Sequence, residues 1–117
     1  MEIKTVGVIG SGTMGNGIAH VAARSGLNVI LYDIEQHQLD SALPTIARNL
    51  EREVAKSRIT ADDKSAALAR IFPATKLSAL SGADFIIEAA VENAEIKSKI
   101  FEAVDAIVRP DVILASN

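Results

Sequence analysis

The chain has 117 residues, 49% of them apolar and 23% charged, with 15 acidic against 12 basic side chains and a net charge of −3. That is the make-up of one globular domain, and the acidic balance argues against a sequence-independent grip on nucleic acid, which needs basic surface. The absence of cysteine excludes disulfides, thiolate metal sites and a cysteine nucleophile, and two histidines fall short of the usual zinc sites.

No apolar run approaches ~18 residues, so no membrane-spanning helix is expected. Met1-Glu2-Ile3-Lys4 leads directly into a strand-like segment and leaves no room for a signal peptide. The expectation is a cytoplasmic domain with no membrane partner.

Thr5-Val6-Gly7-Val8-Ile9 is a short apolar run rich in β-branched residues, which predicts a buried strand. Gly15 to Ser25 switches to helical spacing, with Ile18, Val21 and Ala22 on one side and Gly26 as the stop. Asn28 to Tyr32 is a second strand, closed by Asp33. Strand, helix and strand in this order form a parallel crossover unit, right-handed on general grounds.

A long helical stretch follows from Gln36 to Lys56, with Leu39, Leu43, Ile46, Ala47, Leu50 and Val54 on one stripe. Pro44 within it implies either a kink or a short helix ending just before it. Thr60 reads as an N-cap, with Asp62 and Asp63 in the first turn of a helix running to Arg70. This pair of helices exceeds what a crossover requires and reads as an insertion.

Phe72 to Leu77 is a weaker strand candidate because of Pro73. Asp84 to Ala90 is a buried strand, and Asn93 caps a helix with an apolar face of Ile96, Ile100, Val104 and Ile107 that ends near Pro110. Val112 to Ala115 is the last strand. The alternation predicts an α/β, Rossmann-type doubly wound parallel sheet with a helical insertion after the second strand, truncated after the fifth.

Gly10-Ser11-Gly12-Thr13-Met14-Gly15 fits G-x-G-x-x-G. Its context gives it weight: it follows a strand, opens a helix and is answered by an acid at the end of the next strand. Gly10 permits the turn, Gly12 lets backbone approach a pyrophosphate, and Gly15 lets helix and strand pack closely. The helix N-terminus then offers N–H groups and partial positive charge to the phosphates. Asp33, 23 positions after Gly10, can accept the adenosine ribose hydroxyls and would repel a 2′-phosphate. No Lys or Arg lies between Asp33 and Leu39 to receive such a phosphate, so the cofactor expected is NAD.

The string from Val8 to Ala19, then Ile87-Glu88-Ala89-Ala90-Val91-Glu92-Asn93, and finally Ile113-Leu114-Ala115-Ser116-Asn117, resembles the 3-hydroxyacyl-CoA dehydrogenases, the bacterial 3-hydroxybutyryl-CoA dehydrogenases above all. The resemblance runs the length of the chain, and the E-A-x-x-E-N segment and the terminal A-S-N single out this family. It implies NAD-dependent interconversion of (S)-3-hydroxyacyl-CoA and 3-ketoacyl-CoA. It also implies that Ala89 lines the cofactor cleft, that Glu92 and Lys97 contact the nicotinamide-ribose half, and that Asn117 lies beside nicotinamide and substrate. Glu92 also suits the start of a helix, where an acid is favourable. Glu88, at the end of a buried strand, reads as structural because a carboxylate there needs hydrogen bonds.

The same resemblance places acyl-CoA contacts at Asn49 and Lys56 in the helical insertion. Arg48, Arg52 and Lys56 form a basic stripe suited to CoA phosphates, although an ordinary solvated face explains the stripe as well. His20 and His37 lack an obvious carboxylate partner, match no catalytic position, and read as surface residues.

The His of the family's catalytic His–Glu pair belongs to a G-M-H-F-F-N-P-like segment that these residues do not contain. The chain therefore reads as the N-terminal part of the NAD-binding domain, without a C-terminal helical domain and inactive alone. The parent protein is expected to be a homodimer, and the isolated chain to self-associate through its last strand. The alternatives are a non-catalytic NAD-binding module and a 3-hydroxyisobutyrate-type dehydrogenase domain.

Overall fold

The computed structural model describes residues 2–89 and 94–116. Five strands, β1 (Thr5–Ile9), β2 (Asn28–Tyr32), β3 (Ile71–Ala74), β4 (Phe85–Glu88) and β5 (Ile113–Ser116), form one sheet in the order β3-β2-β1-β4-β5. All four pairings are parallel. The predicted doubly wound sheet is therefore present.

One face carries α1 (Thr13–Arg24), α2 (Gln36–Ala55) and α3 (Ala61–Ala69). Their buried side chains, among them Ala19, Leu39, Ile46 and Leu50, close over Val6, Val8, Val29 and Leu31. The other face carries a 3-10 helix (Leu77–Gly82) and α4 (Ala94–Asp105), with Leu80 and Val104 packed around Ile9, Tyr32 and Ile86. Gly7 makes that second layer possible. A Cβ there would lie 2.7 Å from Leu80 Cδ2 and 3.2 Å from Ile86 Cγ1, too close for a packed interior.

Pro44 lies inside a single 20-residue helix, so no separate short helix precedes it. Nearby carbonyls find side-chain donors: Thr45 Oγ1 bonds Ser41 O at 3.0 Å and Asn16 Nδ2 bonds Ala42 O at 3.1 Å. Thr60 caps α3 as predicted, in a reciprocal box with Asp63 at 3.0 and 2.9 Å.

The third strand ends at Ala74 rather than Leu77, which opens the 3-10 helix. Pro73 is accommodated because β3 is an edge strand, where the missing donor costs no ladder bond. The fourth strand starts at Phe85, just after Asp84, whose carboxylate accepts Lys4 N–H and Thr5 N–H, each at 2.9 Å, and pairs with Arg109. Beside α1 the first face opens into an apolar trough of about 680 Å³, lined by Met14, Val21, Phe85 and Ile87 among others. Ile113 on β5, in register with Phe85, is 49% exposed.

Candidate functional site

The carboxyl ends of β1 and β2 lie side by side, and the turns leaving these two strands build the site. Gly10 leaves β1 at φ +102°, a conformation that side chains rarely adopt, while its N–H donates to Tyr32 O at 2.7 Å. A Cβ on Gly15 would sit 1.7 Å from Gly10 O. Turn and helix can approach this closely only if position 15 is glycine.

Gly12 differs from both. It is the N-cap of α1 with an ordinary φ of −67°, and a Cβ there would meet nothing within 4 Å. Nothing in the protein's own packing asks for glycine at that point. A ligand approaching the turn does, which is the fit expected of a diphosphate. The first turn of α1 carries no acidic side chain, so no acid of the helix itself competes for its N–H groups.

Asp33 is held against this turn. Ser11 N–H and Ser11 Oγ donate to Asp33 Oδ2 at 3.0 and 2.8 Å, and Glu35 N–H donates to Oδ1 at 3.0 Å. A cleft of about 370 Å³ runs between Gly12, Thr13 and Met14 on one side and Asp33, Glu35, Gln38 and Ala89 on the other. A neighbouring cleft of about 350 Å³, between α1 and α2, shares Gly12 and Thr13 and reaches Asn49.

At the end of β4, Glu88 is fully buried. Lys97, in the first turns of α4, lies 3.0 Å from Glu88 Oε1 and donates to Ser116 Oγ at 2.7 Å. Ser116 Oγ in turn is 3.4 Å from Glu88 Oε1. Among the described residues no group of His, Cys, Asp or Glu is placed to hold a metal ion, and no helix is long and apolar enough to cross a membrane.

The family model for the 3-hydroxyacyl-CoA dehydrogenase NAD-binding domain matches residues 5–117. The chain belongs to the 3-hydroxyacyl-CoA dehydrogenase family. It is 50% identical over 115 residues to the 3-hydroxybutyryl-CoA dehydrogenase of Bradyrhizobium diazoefficiens, spanning 98% of this chain and 39% of that protein. To the 3-hydroxyadipyl-CoA dehydrogenase of Escherichia coli it is 41% identical over the whole chain and 25% of the relative. The crystal structure of (S)-3-hydroxybutyryl-CoA dehydrogenase from Ralstonia eutropha superposes with a TM-score of 0.95 at 46% identity, over 99% of this chain and 41% of that one. The chain thus spans less than half the length of these relatives, and the part it spans is their NAD-binding domain.

Within this 3-hydroxyacyl-CoA dehydrogenase domain the predicted cofactor residues Gly10, Ser11, Gly12, Thr13, Met14, Gly15, Asp33 and Ala89 come together around the turn. Lys97 does not join that cleft; it serves as counter-ion to Glu88, which explains how a buried carboxylate is tolerated. Asn49 lines the second cleft, whereas Lys56 caps the far end of α2, outside both. Arg48 and Arg52 donate within α2, to Thr45 Oγ1 at 3.1 Å and Asn49 Oδ1 at 3.3 Å. Glu92, Asn93 and Asn117 lie outside the described residues.

One expectation is corrected. His20 is not a surface residue: its side chain is 12% exposed and is hydrogen-bonded through Nε2 to Glu53, which also accepts from Arg24 Nη1. Burial pushes the Glu53 carboxyl up, but the bonds from His20 and Arg24 outweigh it and hold it below the usual range. The signal was available on α2. Glu53 falls three positions after Leu50, on the buried stripe of Leu39, Ala42, Ile46 and Leu50, where an acid requires a partner. His37 does stand on the surface, 3.6 Å from Glu35. Glu35 and Gln38, walls of the first cleft, were also missed. Their place results from the turn after β2 bending back toward α1, which no spacing in the sequence announces.

Proposed function

We propose that the parent protein oxidises an (S)-3-hydroxyacyl-CoA to the 3-ketoacyl-CoA, or runs the reverse, and that these 117 residues supply its hold on NAD. Bound NAD supplies the hydride acceptor. The chain's own residues bind and orient it. The backbone from Gly10 to Gly15 and the N-terminus of α1 receive the diphosphate. Asp33 accepts the ribose hydroxyls, and its charge, with that of Glu35 beside it, repels a 2′-phosphate.

Ala89 walls the cleft toward β4. Glu92, Lys97 and Asn117 are assigned to the nicotinamide-ribose half, with Lys97 steadied by Glu88 and Ser116. Asn49 and Lys56 are assigned to the acyl-CoA. The similarity of the chain to 3-hydroxybutyryl-CoA dehydrogenases supports a short acyl chain.

Neither histidine serves as the base for the hydroxyl proton. His20 is committed to Glu53 and His37 stands on the outer surface. The isolated residues therefore bind cofactor without turnover.

The observation that carries this reading is Asp33 held by Ser11 at the mouth of a turn whose Gly12 faces open space. Calorimetric titration tests it. The chain should bind NADH and respond little to NADPH. Asp33→Ala should weaken NADH about tenfold to a hundredfold, the loss of its charge-assisted hydrogen bonding to the ribose. An unchanged affinity would remove Asp33 from the ribose site.

A further inference from the structure

We propose that Ser11 is a specificity-determining residue that acts through Asp33: it holds the carboxylate in the one orientation that receives ribose hydroxyls, and so sets the preference against a 2′-phosphorylated dinucleotide. The proposal rests on the reading of Asp33 as the ribose-binding group. The glycine fingerprint itself places no demand on the side chain between its first two glycines. Here that side chain is a serine only 4% exposed, and both its N–H and its hydroxyl are spent on a single oxygen, Asp33 Oδ2, at 3.0 and 2.8 Å.

An aspartate at the end of a strand ordinarily turns about two side-chain torsions. Asp33 is bonded on Oδ2 from the turn after β1 and on Oδ1 from Glu35 N–H, so two separate segments fix it. A carboxylate offers roughly four accepting positions, of which three are filled here. What remains is one position, on Oδ1, open to a ribose hydroxyl. The Ser11 hydroxyl, whose proton is given to Asp33, offers no donor in its place.

A ribose hydroxyl, which is a donor, suits that position. A phosphate, which needs donors, finds none on this pair and meets the carboxylates of Asp33 and Glu35 across the cleft. Without the serine hydroxyl, Asp33 loses the shortest of its three bonds and is held by one backbone N–H on each oxygen, less firmly against an incoming phosphate.

The test compares the unmodified chain, Ser11→Ala, Asp33→Ala and the double variant for binding of NADH, NADPH and inorganic pyrophosphate, which probes the turn without a ribose. Ser11→Ala should lose about tenfold in NADH affinity. It should also narrow the ratio of NADH to NADPH affinity, keep pyrophosphate binding, and add nothing to Asp33→Ala in the double variant. Wild-type NADH affinity in Ser11→Ala, with Asp33→Ala impaired, overturns the role of Ser11 alone. Equal losses for NADH and pyrophosphate, or additive effects in the double variant, overturn it too, since the serine would then only shape the turn. Failure of the unmodified chain to bind NADH, or full NADH affinity in Asp33→Ala, overturns the ribose reading itself.

Discussion

Glu53 on α2 and His20 on α1, 33 positions apart in the chain, are joined by a hydrogen bond at the interface of the two helices. Arg24, one turn further along α1, bonds the other carboxylate oxygen of Glu53. The cluster pins α2, whose Asn49 lines the second cleft, to the helix whose N-terminus bears the glycine turn. Removing the acid takes its partner from His20, 12% exposed in the seam, while the more exposed Arg24 turns to solvent. Glu53→Ala should cost about 2 kcal/mol in denaturant unfolding, more than either His20→Ala or Arg24→Ala. A double-mutant cycle between His20 and Glu53 should show coupling, and purely additive losses would count against the cluster.

Gly12 and Gly15 should respond differently to the same added methyl group. Gly15→Ala drives a Cβ into Gly10 O and is expected to yield little folded protein. Gly12→Ala has free space and an ordinary φ, so its melting temperature should stay close to that of the unmodified chain while NADH affinity collapses. Thermal melts alongside NADH titrations check both.

Asp84 contributes to the acid limb of stability. Bonds from Lys4 N–H and Thr5 N–H, then from Arg109, hold its carboxyl at about 2, down from 3.8. Because the folded value is the lower one, the unfolded chain binds the proton first. The contribution is therefore complete above pH 3.8 and is lost as pH falls toward 2. Asp84→Asn should flatten the loss of stability across that window in pH-dependent urea titrations, and an unaltered acid limb would show that Asp84 is not linked to it.

The trough beside α1 and half-exposed Ile113 on β5 together make a large apolar surface. The isolated chain should self-associate as its concentration rises, and Ile113→Lys should shift it toward monomer. Sedimentation over a range of concentrations checks this, and a clean monomer throughout would exclude it.

Much of this protein is readable along the chain. The order of strands and helices, the glycine turn and the acid closing β2 are local patterns of period, turn chemistry and end signals. Right-handed crossovers then leave little freedom in how a parallel sheet is wound. Even Pro73, which weakened the third strand as a prediction, falls where an edge strand admits it.

Tertiary structure decided which polar groups meet across elements. His20 with Glu53, Lys97 with Glu88, and Ser11 with Asp33 are separated in sequence and become partners only when helices and strand ends are brought together. Spacing within a segment reports which face a residue occupies but carries no record of what stands opposite. Electrostatic and hydrogen-bond energy depends on that opposing group, and the packed sheet and its helices supply it.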